Sequence, residues 1–146
     1  MEDKCPMEGC TARCTLGHIL SNCAKCLARY RYRHDSCLTY LVSRLTQNKP
    51  KEMMVWADLP GWRENGCTVP HYLAVTERLP DIVILDKSSS PNRVVLLELT
   101  VPFGSANAFE AARLRKVDRY ERITQDIEEK GFNVLNCPLE IGCRGV

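Results

Sequence analysis

The sequence predicts a mixed α/β domain, one sheet with helices packed on it in the order α-β-β-β-α-β, behind a small cysteine-rich module. Three observations carry this reading. Five of the nine cysteines fall within the first 26 residues. Two apolar runs, 82–85 and 94–101, flank a polar turn. Helical periodicity precedes and follows those runs. With 146 residues, the chain can bury about 70% of its unfolded surface, enough for one core and a small appendage.

Each element follows from local pattern. Residues 1–27 are rich in Cys, Gly and Pro and lack a hydrophobic period, so they read as a separate module from the body at 28–146. From Ala28, the spacing of Leu38, Leu41, Val42 and Leu45 predicts a helix ending before Asn48 and Pro50. Met53–Ala57 reads as a strand, followed by a polar loop to about Glu77. Ile82–Leu85 and Val94–Val101 read as strands joined by the hairpin loop 86–93, and their consecutive apolar residues imply a sheet covered on both faces. Asn107 and Glu110 have the spacing of a capping box for a charged helix that runs to about Lys130 and stops at Gly131. Phe132–Leu135 closes the chain as a strand, with Leu139–Ile141 as a second short piece.

Composition excludes whole classes. No run approaches the roughly 18–20 apolar residues of a membrane span. The opening residues place acids and cysteines where a secretory signal needs basic and then apolar ones, which predicts an intracellular protein. In a reducing compartment, clustered cysteines favour a metal site over a disulfide framework. Residues 1–50 carry eight Lys/Arg against four Asp/Glu, and residues 51–146 carry twelve against fourteen. The positive charge therefore sits at the end that also holds the cysteines, as suits a protein that meets a polyanion there.

Cys5-x4-Cys10-x7-His18-x4-Cys23 offers three thiolates and one imidazole, a ligand set that suits tetrahedral zinc. Cys14 and Cys26 leave a shifted set open, and free thiols in an unstructured segment are the plain alternative. Four protein ligands leave no site for water, so such a zinc is structural. The adjoining Arg29, Arg31, Arg33 and His34, interleaved with Tyr30 and Tyr32, can pair phosphates and stack on bases. The same residues also suit an ordinary amphipathic helix start whose long side chains snorkel.

Asp81 opens one strand and Glu98 lies inside the next, so pairing across the hairpin brings both acids to one end of the sheet. Glu98 sits among Leu96, Leu97 and Leu99, where a carboxylate is costly unless paired, protonated or bound to a metal. Two carboxylates suit Mg2+, which can neutralise charge developing on a phosphodiester. Lys116 on the following helix can reach back to supply a cation. The plain alternatives are a solvated Asp81, a solvated Lys116, and a structural salt bridge from Glu98 to Arg113 or Lys116.

These motifs together resemble the C-terminal region of non-LTR retrotransposon reverse transcriptase polyproteins, where a Cys-Cys-His-Cys knuckle precedes a restriction-like endonuclease of the PD-(D/E)xK class. The matching stretches are Cys5 to Cys23, Arg29 to Asp35, Leu79-Pro80-Asp81-Ile82-Val83, Leu97 to Pro102, and Lys116-x3-Tyr120. The resemblance implies a restriction-endonuclease-like core over 28–146 and a zinc knuckle over 1–27. It implies an enzyme that nicks target DNA, with Asp81 and Glu98 as Mg2+ ligands and Lys116 and Tyr120 as accompanying catalytic residues. DNA, or the element's own RNA, is the implied partner, and the nucleus is the implied location. A retained fold that has lost its chemistry, leaving a zinc-bearing nucleic-acid-binding module or a truncated remnant, is the alternative.

Overall fold

A computed structural model describes residues 4–101 and 119–142. Helix α1 spans Leu27–Thr46, and strands β1 (Met53–Ala57), β2 (Ile82–Asp86), β3 (Arg93–Thr100) and β4 (Asn133–Glu140) form one sheet in that order. A second helix, α2, is described over residues 119–128. Lys116, Arg113 and the capping pair Asn107 and Glu110 lie outside the described residues. No described helix is long and apolar enough to cross a membrane.

Strands β1 and β2 pair antiparallel, as do β2 and β3, and β4 runs parallel to β3. A parallel pair needs a crossover, and α2 lies on it. Side chains alternate across the sheet, as a period of two requires. Ile82, Ile84 and Leu99 pack with Leu38 and Val42 of α1. Val83, Leu85, Val94 and Leu96 pack on the other side with Tyr120, Ile123 and Ile127 of α2. Both faces are covered, which explains why β2 is apolar at four consecutive positions. Helix α1 ends where Asn48 takes a left-handed conformation (φ 64°), and Gly131 (φ 87°) does the same after α2.

Two elements differ from the expectation. The segment between β1 and β2, read as a polar loop, buries Val69, Leu73 and Ala74 completely beside Trp56. Trp56 and Tyr72 meet edge to face at 6.5 Å, and the indole N–H of Trp56 donates to Glu64. The loop thus joins α2 in covering one face of the sheet. The last strand is also one piece, running through Pro138 without a break. Proline cannot donate to a ladder, but among the described residues β4 is an edge strand with β3 as its one neighbour, where that donor is dispensable.

Candidate functional site: a sulfur cluster and a buried carboxylate pair

The N-terminal module is built around sulfur. A tight reversal, with Cys5 N donating to Ala12 O and Gly9 at φ 73°, brings Cys5 and Cys10 together. A π-helical turn, His18–Asn22, then presents His18 and leads into Cys23. One ligand atom from each of Cys5, Cys10, His18 and Cys23 lies within 4.8 Å of all the others. Cys5 Sγ is 3.8 Å from Cys23 Sγ, Cys23 Sγ is 3.9 Å from Cys10 Sγ, and Cys10 Sγ is 3.3 Å from His18 Nε2. Tetrahedral bonds of about 2.3 Å to sulfur and 2.0 Å to nitrogen give edges of roughly 3.5–3.8 Å. The cluster therefore has the ligand types and spacing to bind a metal such as zinc. Cys14 and Cys26 are not part of it. Cys26 instead packs beneath it with Tyr30 and Met7. The described cysteines form no disulfide.

The predicted phosphate-contacting residues have separate fates. Arg29 and Arg31 are exposed on α1. Arg33 lies over the Tyr30 ring at 5.5 Å and donates from Nη2 to Leu20 O at 3.0 Å, tying α1 to the module. His34 turns inward, with Nε2 3.3 Å from Asp81 Oδ2 and Nδ1 3.1 Å from Asp35 Oδ1.

Asp81 and Glu98 do meet. Ile82 pairs with Leu97, so Asp81 falls opposite Glu98 at the next step of the antiparallel register. Asp81 N donates to Glu98 Oε2 at 3.2 Å, and Leu99 N donates to Asp81 Oδ2 at 2.6 Å. From α2, Tyr120 donates its hydroxyl to Glu98 Oε2 at 3.0 Å. The acids are 6% and 7% exposed, so donors rather than water must stabilise their charges. The hydrogen bond to Asp81, with its negative charge and that of Asp35, outweighs burial and raises the His34 pKa to about 9. Burial and the charge of Glu98 push the Tyr120 phenol far above its ordinary range. At neutral pH the pair therefore meets one imidazolium and one neutral phenol donor. Asp81 Oδ1 takes no hydrogen bond from a described residue.

Two openings reach partners of the pair, one His34 and the other Tyr120. A groove of about 750 Å³ is lined by Tyr30, Arg31, His34, Leu59 and Arg63, among others. A cleft of about 370 Å³ is lined by Glu77, Arg78, Leu79, Arg119 and Tyr120. Sequence reasoning missed Arg78 and Arg119, which are exposed and make no ion pair among the described residues. Their nearness in sequence to Asp81 and Tyr120 was the available signal.

Fold and site thus define a mixed α/β protein with a Cys/His metal-ligand cluster and a buried carboxylate pair. No protein-family model, curated protein or solved structure matches the chain.

Metal analysis of the purified protein should find one zinc per chain under reducing conditions, and Cys23→Ser should lower that stoichiometry sharply. A second expectation concerns pH. The raised His34 pKa stabilises the folded state fully below its ordinary 6.5, and that stabilisation is lost as pH rises through about 9. In zinc-loaded protein without added Mg2+, denaturation midpoints should fall between pH 6.5 and 9, and His34→Gln should flatten this slope.

Proposed function

We propose that this chain is a metal-dependent DNA endonuclease of the restriction-like kind, whose metal-ligand cluster is a structural zinc knuckle. The observation that carries the reading is the convergence of Asp81, Glu98 and Tyr120 from β2, β3 and α2 at one buried point beside a cationic cleft. Asp81 and Glu98, two hard oxygen donors, would hold Mg2+. When bound, the ion supplies Lewis acidity and charge neutralisation at a phosphodiester.

The chain's own residues do the rest. Tyr120 holds the Glu98 carboxylate in orientation, and its raised pKa keeps it a donor throughout the neutral range. His34 and the Leu99 N–H hold Asp81 Oδ2 and leave Oδ1 for a cation. Arg78 and Arg119 offer guanidinium groups to a phosphate in the adjoining cleft. Arg29 and Arg31 meet the DNA backbone along the exposed side of α1. Lys116 keeps its expected role as the accompanying cation, and nuclear DNA is the substrate this reading requires.

One observation favours a second reading, a zinc-bearing nucleic-acid-binding module without catalysis. Both carboxylates already have protein donors, so the site has partners without an ion. Plasmid nicking separates the two. With Mg2+ the parent should nick, with EDTA it should not, and Asp81→Asn or Glu98→Gln should lower the rate by at least a hundredfold while sparing DNA affinity. DNA binding with no nicking in the parent supports the second reading. Replacing Arg29 and Arg31 together by Ala should reduce the log–log salt slope of DNA binding by about 1.8, or about 0.9 per phosphate contact.

A further inference from the structure

We propose that Tyr30, Arg33 and His34 are positioning residues that tie the N-terminal metal cluster to the carboxylate pair, so that metal in the cluster orders Asp81. All three lie within the first two turns of α1, at the i, i+3 and i+4 spacing that shares one helix face. Tyr30 braces the cluster from beneath. Its hydroxyl accepts from Cys23 N at 2.9 Å and donates to the carbonyl of Ile19 at 2.8 Å, with the His18 carbonyl at 3.2 Å. One phenol thus touches the backbone of two of the four ligand residues. Arg33 adds a bond to Leu20 O, inside the turn that joins His18 to Cys23.

The residue after Arg33 completes the path. His34 is bonded to Asp81 Oδ2, which accepts from Leu99 N, and Asp81 N donates to Glu98. The bonds therefore run without a gap from the cluster through two turns of α1 to both acids. The N-terminal end of α1 has no side-chain cap, and Leu27, Ala28 and Arg29 are exposed. The first turn consequently depends on the module for its order, as an uncapped helix end otherwise frays. The module depends on metal in turn, because its buried side chains are thiols with almost no aliphatic core. An empty cluster loosens the Tyr30 and Arg33 bonds, frees the first turns of α1 and lets His34 leave Asp81. Asp81 acts as a metal ligand only under the nuclease reading above, on which the functional half of this proposal rests.

The test uses the zinc-loaded full chain and reads amide hydrogen exchange at Leu99, whose N–H is bonded to Asp81. The reference is the β2–β3 ladder around Leu85 and Val94, remote from the first turns of α1. Tyr30→Phe keeps the ring and removes the three hydroxyl bonds. It should retain zinc and accelerate Leu99 exchange about tenfold, with the reference ladder unchanged. Zinc-depleted parent protein should show the same selective change. His34→Ala should reproduce it, and His34→Gln, which still offers an N–H to Asp81, should restore the parental rate. An unchanged Leu99 rate in Tyr30→Phe overturns the proposal, and so does acceleration spread evenly over the ladder, which is global destabilisation. Mn2+ titration of the same proteins, followed by paramagnetic line broadening, tests the functional half. Affinity should drop about tenfold in Tyr30→Phe, the usual cost of losing an outer partner of a metal ligand. A parent that binds no Mn2+ at the carboxylates removes the nuclease reading while the Leu99 rates decide the tie.

Discussion

Two carboxylates buried side by side are the constraint that the surrounding structure answers. Like charges at this distance repel, and with little water in reach each must find donors or a cation. Four separate pieces of chain supply them: α1 brings His34, the Asp81 backbone serves Glu98, β3 offers the Leu99 N–H, and α2 brings Tyr120. Removing one partner of a buried charge typically costs about 3–5 kcal/mol. These contacts are therefore part of what fixes both helices against the sheet. The site and the fold share the same bonds at this point.

Helix α1 has a double role. Its later turns bury Leu38 and Val42 against β2 and β3, an ordinary apolar contact. Its early turns are polar and bonded outward, toward the sulfur cluster on one side and Asp81 on the other. The cluster itself has almost no aliphatic core, with only Met7 and Tyr30 packed against its thiols among the described residues, and the Tyr30 hydroxyl bonds its backbone. The free energy of structural zinc, about 10–16 kcal/mol in small zinc-binding peptides, is large enough to order such a segment.

Much of this was legible in the chain. Consecutive apolar residues at 82–85 and 94–97 announced two strands covered on both faces, and the hairpin between them set a register that brings Asp81 and Glu98 together. The helical spacing of Leu38, Leu41, Val42 and Leu45 announced α1. Other features were hidden for definite reasons. Val69, Leu73 and Ala74 are too few and too irregularly spaced to signal a core segment, yet the sheet face needed covering. Pro138 suggested a break, and only the edge position of β4 makes it harmless. Cys14 and Cys26 are chemically as able as the four clustered ligands, and only the folded backbone shows which four ligand atoms lie within 4.8 Å of one another.

The sequence by itself determined the local chemistry: which segments form helix or strand, which cysteines and histidine are near enough in the chain to share an ion, and which two acids a hairpin must bring together. These depend on neighbours a few residues apart or on a single turn. The tertiary structure decided where α1 lies, and hence that His34, 47 positions before Asp81, faces a carboxylate while Arg31 faces outward. Contacts of that range depend on how whole elements pack, because the same helix face can serve either a polyanion or an internal acid. The choice between them rests on the packing of Leu38 and Val42 against the sheet, which sets the rotation of the helix and thus the direction of every polar side chain on its first turns.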